Sequence, residues 1–164
     1  MLERLSAGLD SLARGAPVIA RYGLQLALAA AAPPEQSLEI SRGLRAEALA
    51  SGHPTVALSA LVRLADALRR TGAAGEAAAS ARAASAESAE SSWHDIPDPE
   101  FWWLVFQALD AGGCTGEALE ALQRGADWVR RCVARVPAEY RESFLHRSRV
   151  VPELLAMAKR RLGA

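Results

Sequence analysis

The side chains that most often carry out chemistry in proteins are few and scattered in this 164-residue sequence. The only lysine is Lys159, close to the C-terminus, so the GxxxxGK loop that cradles nucleotide phosphates cannot form. His94 and Asp95 are the one adjacent histidine–acid pair, and they lie in a predicted loop. No HExxH, Cys-x-x-Cys or GxSxG pattern occurs. We therefore expect no catalytic residue, no metal site and no cofactor, and predict that the chain is not an enzyme.

The two cysteines favour a reducing compartment. Cys114 and Cys132 lie 18 residues apart, at either end of one predicted helix. A helical rise of about 1.5 Å per residue separates them by roughly 27 Å, far beyond the reach of a disulfide. The apolar run at residues 23–32 is too short to cross a membrane, and acidic residues precede it. The chain is therefore predicted to be cytoplasmic, without a membrane partner.

Proline and glycine divide the chain into helices. Ala, Leu, Glu and Arg dominate the composition, and all four are good helix formers. Six prolines each open a segment with helical apolar periodicity, namely Pro17, Pro34, Pro54, Pro99, Pro137 and Pro152. Glycines follow many of the segments, where helices end. The pattern predicts an all-α chain with helices over 2–14, 17–32, 34–51, 54–71, 74–91, 99–111, 115–135, 138–147 and 152–162.

Two helix pairs match each other at an offset of 41 residues, with Leu58 corresponding to Pro99. At this offset Leu61 corresponds to Trp102, which places Trp102 in the core of its hairpin. Gly72 corresponds to Gly113, and both are predicted to form the turn between two helices. Small residues then follow on the second helix of each pair, which lets two backbones approach closely.

This pattern resembles the tetratricopeptide repeat, which combines a large apolar residue, a glycine turn and small residues on its second helix. The offset exceeds the family's usual length of about 34 residues. The resemblance implies stacked antiparallel helical hairpins, a TPR-like α-solenoid, in a single domain over 1–164. Its parts are a degenerate hairpin at 17–51, repeats at 58–91 and 99–135, and a capping element at 137–163. Ser37 and Ser41 depart from the pattern in the first hairpin.

The C-terminal segment carries a second resemblance. Residues 136–145 (VPAEYRESFL), together with Leu154, Leu155 and Ala156, are similar to the end of tetratricopeptide-like arrays in large bacterial regulators. Those regulators are signalling ATPases, adenylate cyclases and transcriptional regulators. The similarity implies a scaffold in bacterial signalling, capped at its last hairpin so that no apolar face is left open.

The resemblance also implies where a partner binds, because the first helix of each hairpin lines the concave face of such a stack. The predicted partner-binding residues are those of these helices not used in packing: Ser59, Val62, Asp66, Arg69, Arg70, Glu100, Trp103, Gln107 and Asp110. Trp103 follows Trp102 and is rotated by about 100° from it. It either faces the groove as a binding hot spot or packs against the helix at 74–91.

The predicted function is that of a non-enzymatic interaction module that binds a peptide or a protein domain on its concave face. One alternative is a structural segment that forms a homodimer through apolar hairpin faces. Another is a regulator that contacts nucleic acid, because ten basic residues oppose five acidic ones from Glu120 to the end. Nucleic acid is the less favoured partner, since the acidic residues are interleaved and the net charge is zero.

Overall fold

The computed structural model describes residues 17–90 and 95–163, and the regular structure within them is helical throughout. Its α-helices are α1 Val18–Ala31, α2 Pro34–Ala50, α3 Pro54–Arg70, α4 Ala74–Glu90, α5 Asp98–Ala111, α6 Thr115–Arg135, α7 Arg141–His146 and α8 Val150–Leu162. A 3₁₀ turn at Ala138–Tyr140 precedes α7. The predicted all-α class is confirmed for this part of the chain.

The predicted helix bounds agree with the structure to within two residues, with one difference. The segment predicted as one helix over 138–147 is a 3₁₀ turn followed by α7, which has six residues. Pro34 and Pro54 each occupy the first position of a helix, where a missing N–H leaves no hydrogen bond unmade. The predicted helix at 2–14 and His94 lie outside the described residues.

The same glycine turn closes three of the hairpins. Gly52, Gly72 and Gly113 have φ angles of 72°, 85° and 74°, a left-handed conformation that strains any residue with a side chain. The N–H of the next residue donates to a carbonyl in the last turn of the preceding helix: His53 to Ala48 at 2.8 Å, Ala73 to Leu68 at 2.9 Å and Cys114 to Leu109 at 2.9 Å. This is the Schellman motif, so the predicted turns at Gly72 and Gly113 have equivalent bonding.

The helices pack in two sets. The first set is a row of four helices, α1, α3, α5 and α8, in which each helix contacts the next. The second set is α2, α4 and α6, and each of these contacts two successive helices of the row. As a result, α3 and α5 are covered from several sides, and ten of the 17 residues of α3 are buried. This coverage decides which side chains can reach solvent.

Alanine and glycine set the closest approach between helices. Four alanines of α4 are buried in the main core, namely Ala77, Ala78, Ala81 and Ala84. At the end of α5, a Cβ on Gly112 would lie 2.5 Å from that of Ala78 and 3.0 Å from the Ala74 carbonyl oxygen. The ends of α4 and α5 therefore meet only because residue 112 has no side chain.

Two buried serines of α2 differ in whether their hydroxyl groups are hydrogen-bonded, and this difference can be tested by mutation. Ser37 Oγ donates a hydrogen bond of 2.6 Å to the Ala29 carbonyl, whereas Ser41 Oγ is buried with no hydrogen-bond partner. Ser41→Ala should raise the free energy of unfolding by about 1 kcal/mol, because an unsatisfied buried hydroxyl is removed. Ser37→Ala should lower it by about 1 kcal/mol. Urea denaturation of the two variants measures both changes, and equal losses would contradict the assignment.

Candidate binding site

Two of the predicted groove residues on α3 do not reach solvent. Ser59 is fully buried, and its Oγ donates to the Thr55 carbonyl at 3.0 Å and accepts from the Asp95 N–H at 2.9 Å. Val62 is also fully buried. The expectation that these side chains face a groove is corrected, because α3 has helices on several sides and no broad free face. Ser59 instead ties the segment before α5 to α3.

Of the two tryptophans of α5, Trp102 was predicted to lie in the core but is half-buried. Trp103, for which a groove and a packed position were both predicted as alternatives, is packed. Trp103 is only 7% exposed and its ring stacks on Phe106 with a centroid separation of 5.3 Å, so it belongs to the core. Trp102 is half-buried, and the Arg124 guanidinium lies 5.1 Å from the centre of its ring. The apolar run at residues 101–106 contains no polar residue that marks an outer face. The side on which α5 stays open is therefore set by the surrounding helices.

The charged groove residues of α3 lie together at the surface, but their charges are already paired. Asp66 accepts a hydrogen bond of 2.7 Å from Arg69 Nη2 and lies 3.8 Å from Arg70 Nη1. Arg70 Nη2 also donates to the Ala32 carbonyl at 2.8 Å, just beyond the end of α1. This cluster connects α3 to α1, and it offers a partner less free charge than the sequence suggests.

The charged groove residues of α5 have partners on neighbouring helices. Glu100 pairs with Arg63 of α3 at 2.6 Å, and Asp110 pairs with Arg161 of α8 at 3.0 Å. Gln107 is half-buried between them along α5. The sequence did not indicate Arg63 or Arg161, because each pairing joins residues that are far apart in the chain. These ion pairs connect α5 to α3 and to α8 at the surface.

A cleft that the sequence analysis missed lies between α6, α7 and α8. It is open to solvent on one side and has a volume of about 690 Å³. Its floor consists of apolar side chains from the three helices: Val129, Val133, Ala134, Leu145 and Leu155. Its rim is formed by Arg130, Arg141 and Lys159, and no acidic residue lines it.

Helix length explains why this cleft exists. The apolar stripe of α6 continues through Val129 to Val133, but α6 has 21 residues and its antiparallel neighbour α5 has only 14. The end of α6 therefore extends about 10 Å beyond α5. Among the described residues, α7 and α8 are the helices that contact α6 near this end, and Val133 stays half-buried. The unequal helix lengths are visible in the sequence, and they were the one signal that could have pointed to the cleft.

Two of the rim cations, Arg130 and Arg141, make polar contacts within the chain. Arg130 Nη1 lies 3.0 Å from Asp127 Oδ1. The hydrogen bond from Gln123 and the charge of Arg130 together hold the pKa of Asp127 below its usual range. Arg141 Nε donates to the Val136 carbonyl at 3.0 Å, which anchors the guanidinium beside the cleft. Lys159, the only lysine of the chain, is exposed on α8.

A smaller cleft of about 370 Å³ between α4 and α6 has a different character. Arg82 and Glu117 form an ion pair of 2.7 Å across it, and the hydrogen bond to Glu117 raises the pKa of Arg82 above its ordinary value. Arg82 Nη2 also donates to Cys114 Sγ at 2.9 Å. Cations and acids are mixed in its lining, so this cleft has no single charge preference for a ligand.

No protein-family model, curated protein or solved structure matches this chain. Within residues 17–90 and 95–163, no helix combines the length and apolar composition that a membrane span requires. In the same residues, His, Cys, Asp and Glu side chains form no group of three that could hold a metal ion. Cys114 and Cys132 are both free thiols. Among the described residues, the cleft at α6–α8 combines an apolar lining with basic side chains and has no acidic residue in its lining.

Proposed function

We propose that this chain is a non-enzymatic protein-interaction module, and that it takes up a segment of a partner protein in the α6–α8 cleft. The cleft itself is the observation that carries the proposal, because it joins an apolar floor to charged groups that can orient a ligand. A tetratricopeptide-like stack and a role in bacterial signalling are part of the same proposal. The stack is supported by the three identical glycine turns and by the contacts along the row of α1, α3, α5 and α8. The signalling role rests on the sequence resemblance of residues 136–145 alone.

The cleft replaces the α3–α5 surface as the preferred partner site for an energetic reason. A partner at the α3–α5 surface would compete with ion pairs that connect neighbouring helices, such as Arg63–Glu100. At the cleft, half-buried leucines would lose their remaining contact with water when a partner covers them. Burial of apolar side chains is the main source of affinity at such sites.

A selection from a displayed library of random peptides tests this function. Peptides enriched on the wild-type chain should bind the Leu145→Glu variant more weakly by more than about tenfold, because a carboxylate would stand in the apolar floor. Leu49→Glu is the matched control: Leu49 is 55% exposed on α2, away from the cleft, so binding should not change. Fluorescence anisotropy with the purified peptides measures the affinities.

Two results would contradict the proposal. Equal binding to the wild type and to Leu145→Glu would place the peptide site elsewhere. A selection that enriches no peptide at all would argue against a peptide-binding module. Circular dichroism of both variants shows whether the helical fold is kept, so that a loss of binding is not mistaken for unfolding.

Self-association is a second candidate, favoured by exposed apolar side chains at the other end of the row. Ile19 on α1 is 70% exposed and the adjacent Val18 is 46% exposed. Apolar side chains grouped on a surface often mark a contact between chains. Sedimentation velocity at increasing protein concentration separates the two roles, because a module that works as a monomer keeps one sedimentation coefficient.

A further inference from the structure

We infer that the occupant of the α6–α8 cleft is an acidic amphipathic helix of a partner protein, an inference that rests on the proposed binding function of this cleft. Three features of the cleft support it: the apolar floor, the helical walls and the single sign of the rim charges. Each restricts the partner in a different way.

The apolar floor requires apolar anchors on the partner. Val133, Leu145 and Leu155 come from three different helices and are each half-buried. Because the cleft is open along one side, a small ligand would keep much of its surface in water. Side chains carried by a larger element can enter the cleft while that element covers the opening. This arrangement fits a protein segment better than an isolated small molecule.

The helical walls decide the backbone conformation of the partner. An extended peptide that binds a protein surface usually completes its hydrogen bonds on the free edge of a β-sheet. Here all three walls are helices, so the cleft presents no free strand edge to an extended peptide. The partner must therefore satisfy its own backbone groups, as an α-helix does. A helix also places apolar side chains at positions i, i+3, i+4 and i+7 on one face.

The rim decides the charge of the partner. Arg130, Arg141 and Lys159 lie around the floor, and no acidic residue lines the cleft itself. Arg130 is paired with Asp127, which is not part of the lining, so Arg141 and Lys159 contribute most of the charge that a partner would meet. The whole region from Glu120 to the C-terminus has ten basic residues and five acidic ones, so its wider field has the same sign. Complementary charges favour encounter and orientation, and they penalise a partner of the same sign. The polar flanks of the bound helix should therefore carry Asp or Glu.

Nucleic acid is also attracted to cations, but the apolar floor argues against it. Phosphate groups would pair with the rim and leave Leu145 and Leu155 without a complementary surface. An acidic amphipathic helix uses both the floor and the rim. Duplex DNA is therefore included in the experiment as a competitor.

A set of matched synthetic peptides tests the inference on the full chain. The first peptide is an amphipathic helix with leucines at i, i+3, i+4 and i+7 and glutamates on both flanks. The second replaces every glutamate with lysine, and the third interrupts the acidic helix with a central proline. Fluorescence anisotropy gives each dissociation constant at low and at high salt. The single lysine provides an independent readout, because reductive ¹³C-methylation labels only one side chain, Lys159, in addition to the N-terminal amine, and the two signals are told apart with a Lys159→Arg variant.

The acidic peptide should bind at least about tenfold more tightly than the lysine peptide and the proline peptide, and its binding should weaken as salt is raised. It should also shift the Lys159 resonance. The Arg141→Glu variant should bind the acidic peptide more weakly than the wild type does, by roughly threefold or more. The difference in affinity between the acidic peptide and the lysine peptide should also become smaller. Arg42→Glu, the same charge change at an exposed position of α2, should leave both affinities unchanged.

The failure of the inference can be told from the failure of the proposed function. If the lysine peptide binds as tightly as the acidic one, the charge assignment is overturned while the cleft keeps its binding role. If the proline peptide binds equally well, the helical conformation is overturned. If duplex DNA shifts the Lys159 resonance and displaces the acidic peptide, nucleic acid is the occupant and the inference is wrong. If no synthetic or selected peptide shifts that resonance, both the inference and the proposed function fall.

Discussion

Replacing Trp103 with alanine should lower the free energy of unfolding by about 3–5 kcal/mol, the usual cost of removing a large buried aromatic side chain. Trp103 is 7% exposed and stacked on Phe106, within a core that also contains the buried alanines of α4. The alanine variant would leave a cavity that these small side chains cannot fill. Because a domain of this size is stable by only about 5–15 kcal/mol, the loss should be evident in urea denaturation followed by circular dichroism.

Trp102→Ala provides a control of the same residue type at the next position. Trp102 is half-buried and lies beneath the Arg124 guanidinium, so its removal should cost less than the removal of Trp103. The opposite order of the two losses would contradict the packing described here. It would instead fit a Trp102 that fills the core and a Trp103 that faces a groove, which is one of the two environments predicted for Trp103.

Leu154→Ala should lower the free energy of unfolding by about 2–5 kcal/mol and loosen α8 in particular. Leu154 is fully buried, and its Cδ1 lies 2.8 Å from the position that a Cβ on Gly125 would occupy. The leucine therefore fills the space that glycine leaves on α6 and fastens α8 there. Hydrogen exchange should show faster exchange of the α8 amides, and denaturation gives the total change.

Two further variants test whether this contact holds α8 in place. Leu155→Ala, at the adjacent half-buried position, should cost less than Leu154→Ala. Gly125→Ala should destabilise the wild-type chain, because the new methyl group would meet Leu154 and Trp102. The same substitution should cost less in the Leu154→Ala background, since one of the two obstructing side chains is gone. Strictly additive losses would rule out direct contact between residues 125 and 154.

The sequence predicted the helices well because their ends depend on local chemistry. Proline is accepted in the first turn, as at Pro34 and Pro54, and glycine accepts the left-handed conformation that closes a hairpin, as at Gly72 and Gly113. These preferences involve residues that are close in the chain. They therefore predict bounds within two residues for most helices of the described part of the chain.

The faces of the helices were harder to predict, because they depend on neighbours that are distant in the chain. Ser59 and Val62 were assigned to a groove on the pattern of α3 alone, yet α3 is covered by other helices on several sides. For the same reason, the apolar run of α5 could not show that Trp103 is buried and Trp102 partly open. The partners of Glu100 and Asp110, Arg63 and Arg161, are likewise visible only in three dimensions.

By itself the sequence determined that residues 17–90 and 95–163 are largely helical, where most of the helices in them begin and end, and that glycine closes the turns at Gly72 and Gly113. Only the tertiary structure decided which surface is available to a partner. The α6–α8 cleft arises because α6 is longer than α5 and its exposed end is only partly covered by α7 and α8. Helix length is a local property, but what covers an overhanging helix end depends on how distant segments pack. Lys159, which in the sequence only argued against a phosphate loop, lies in the folded chain at the rim of the proposed binding site.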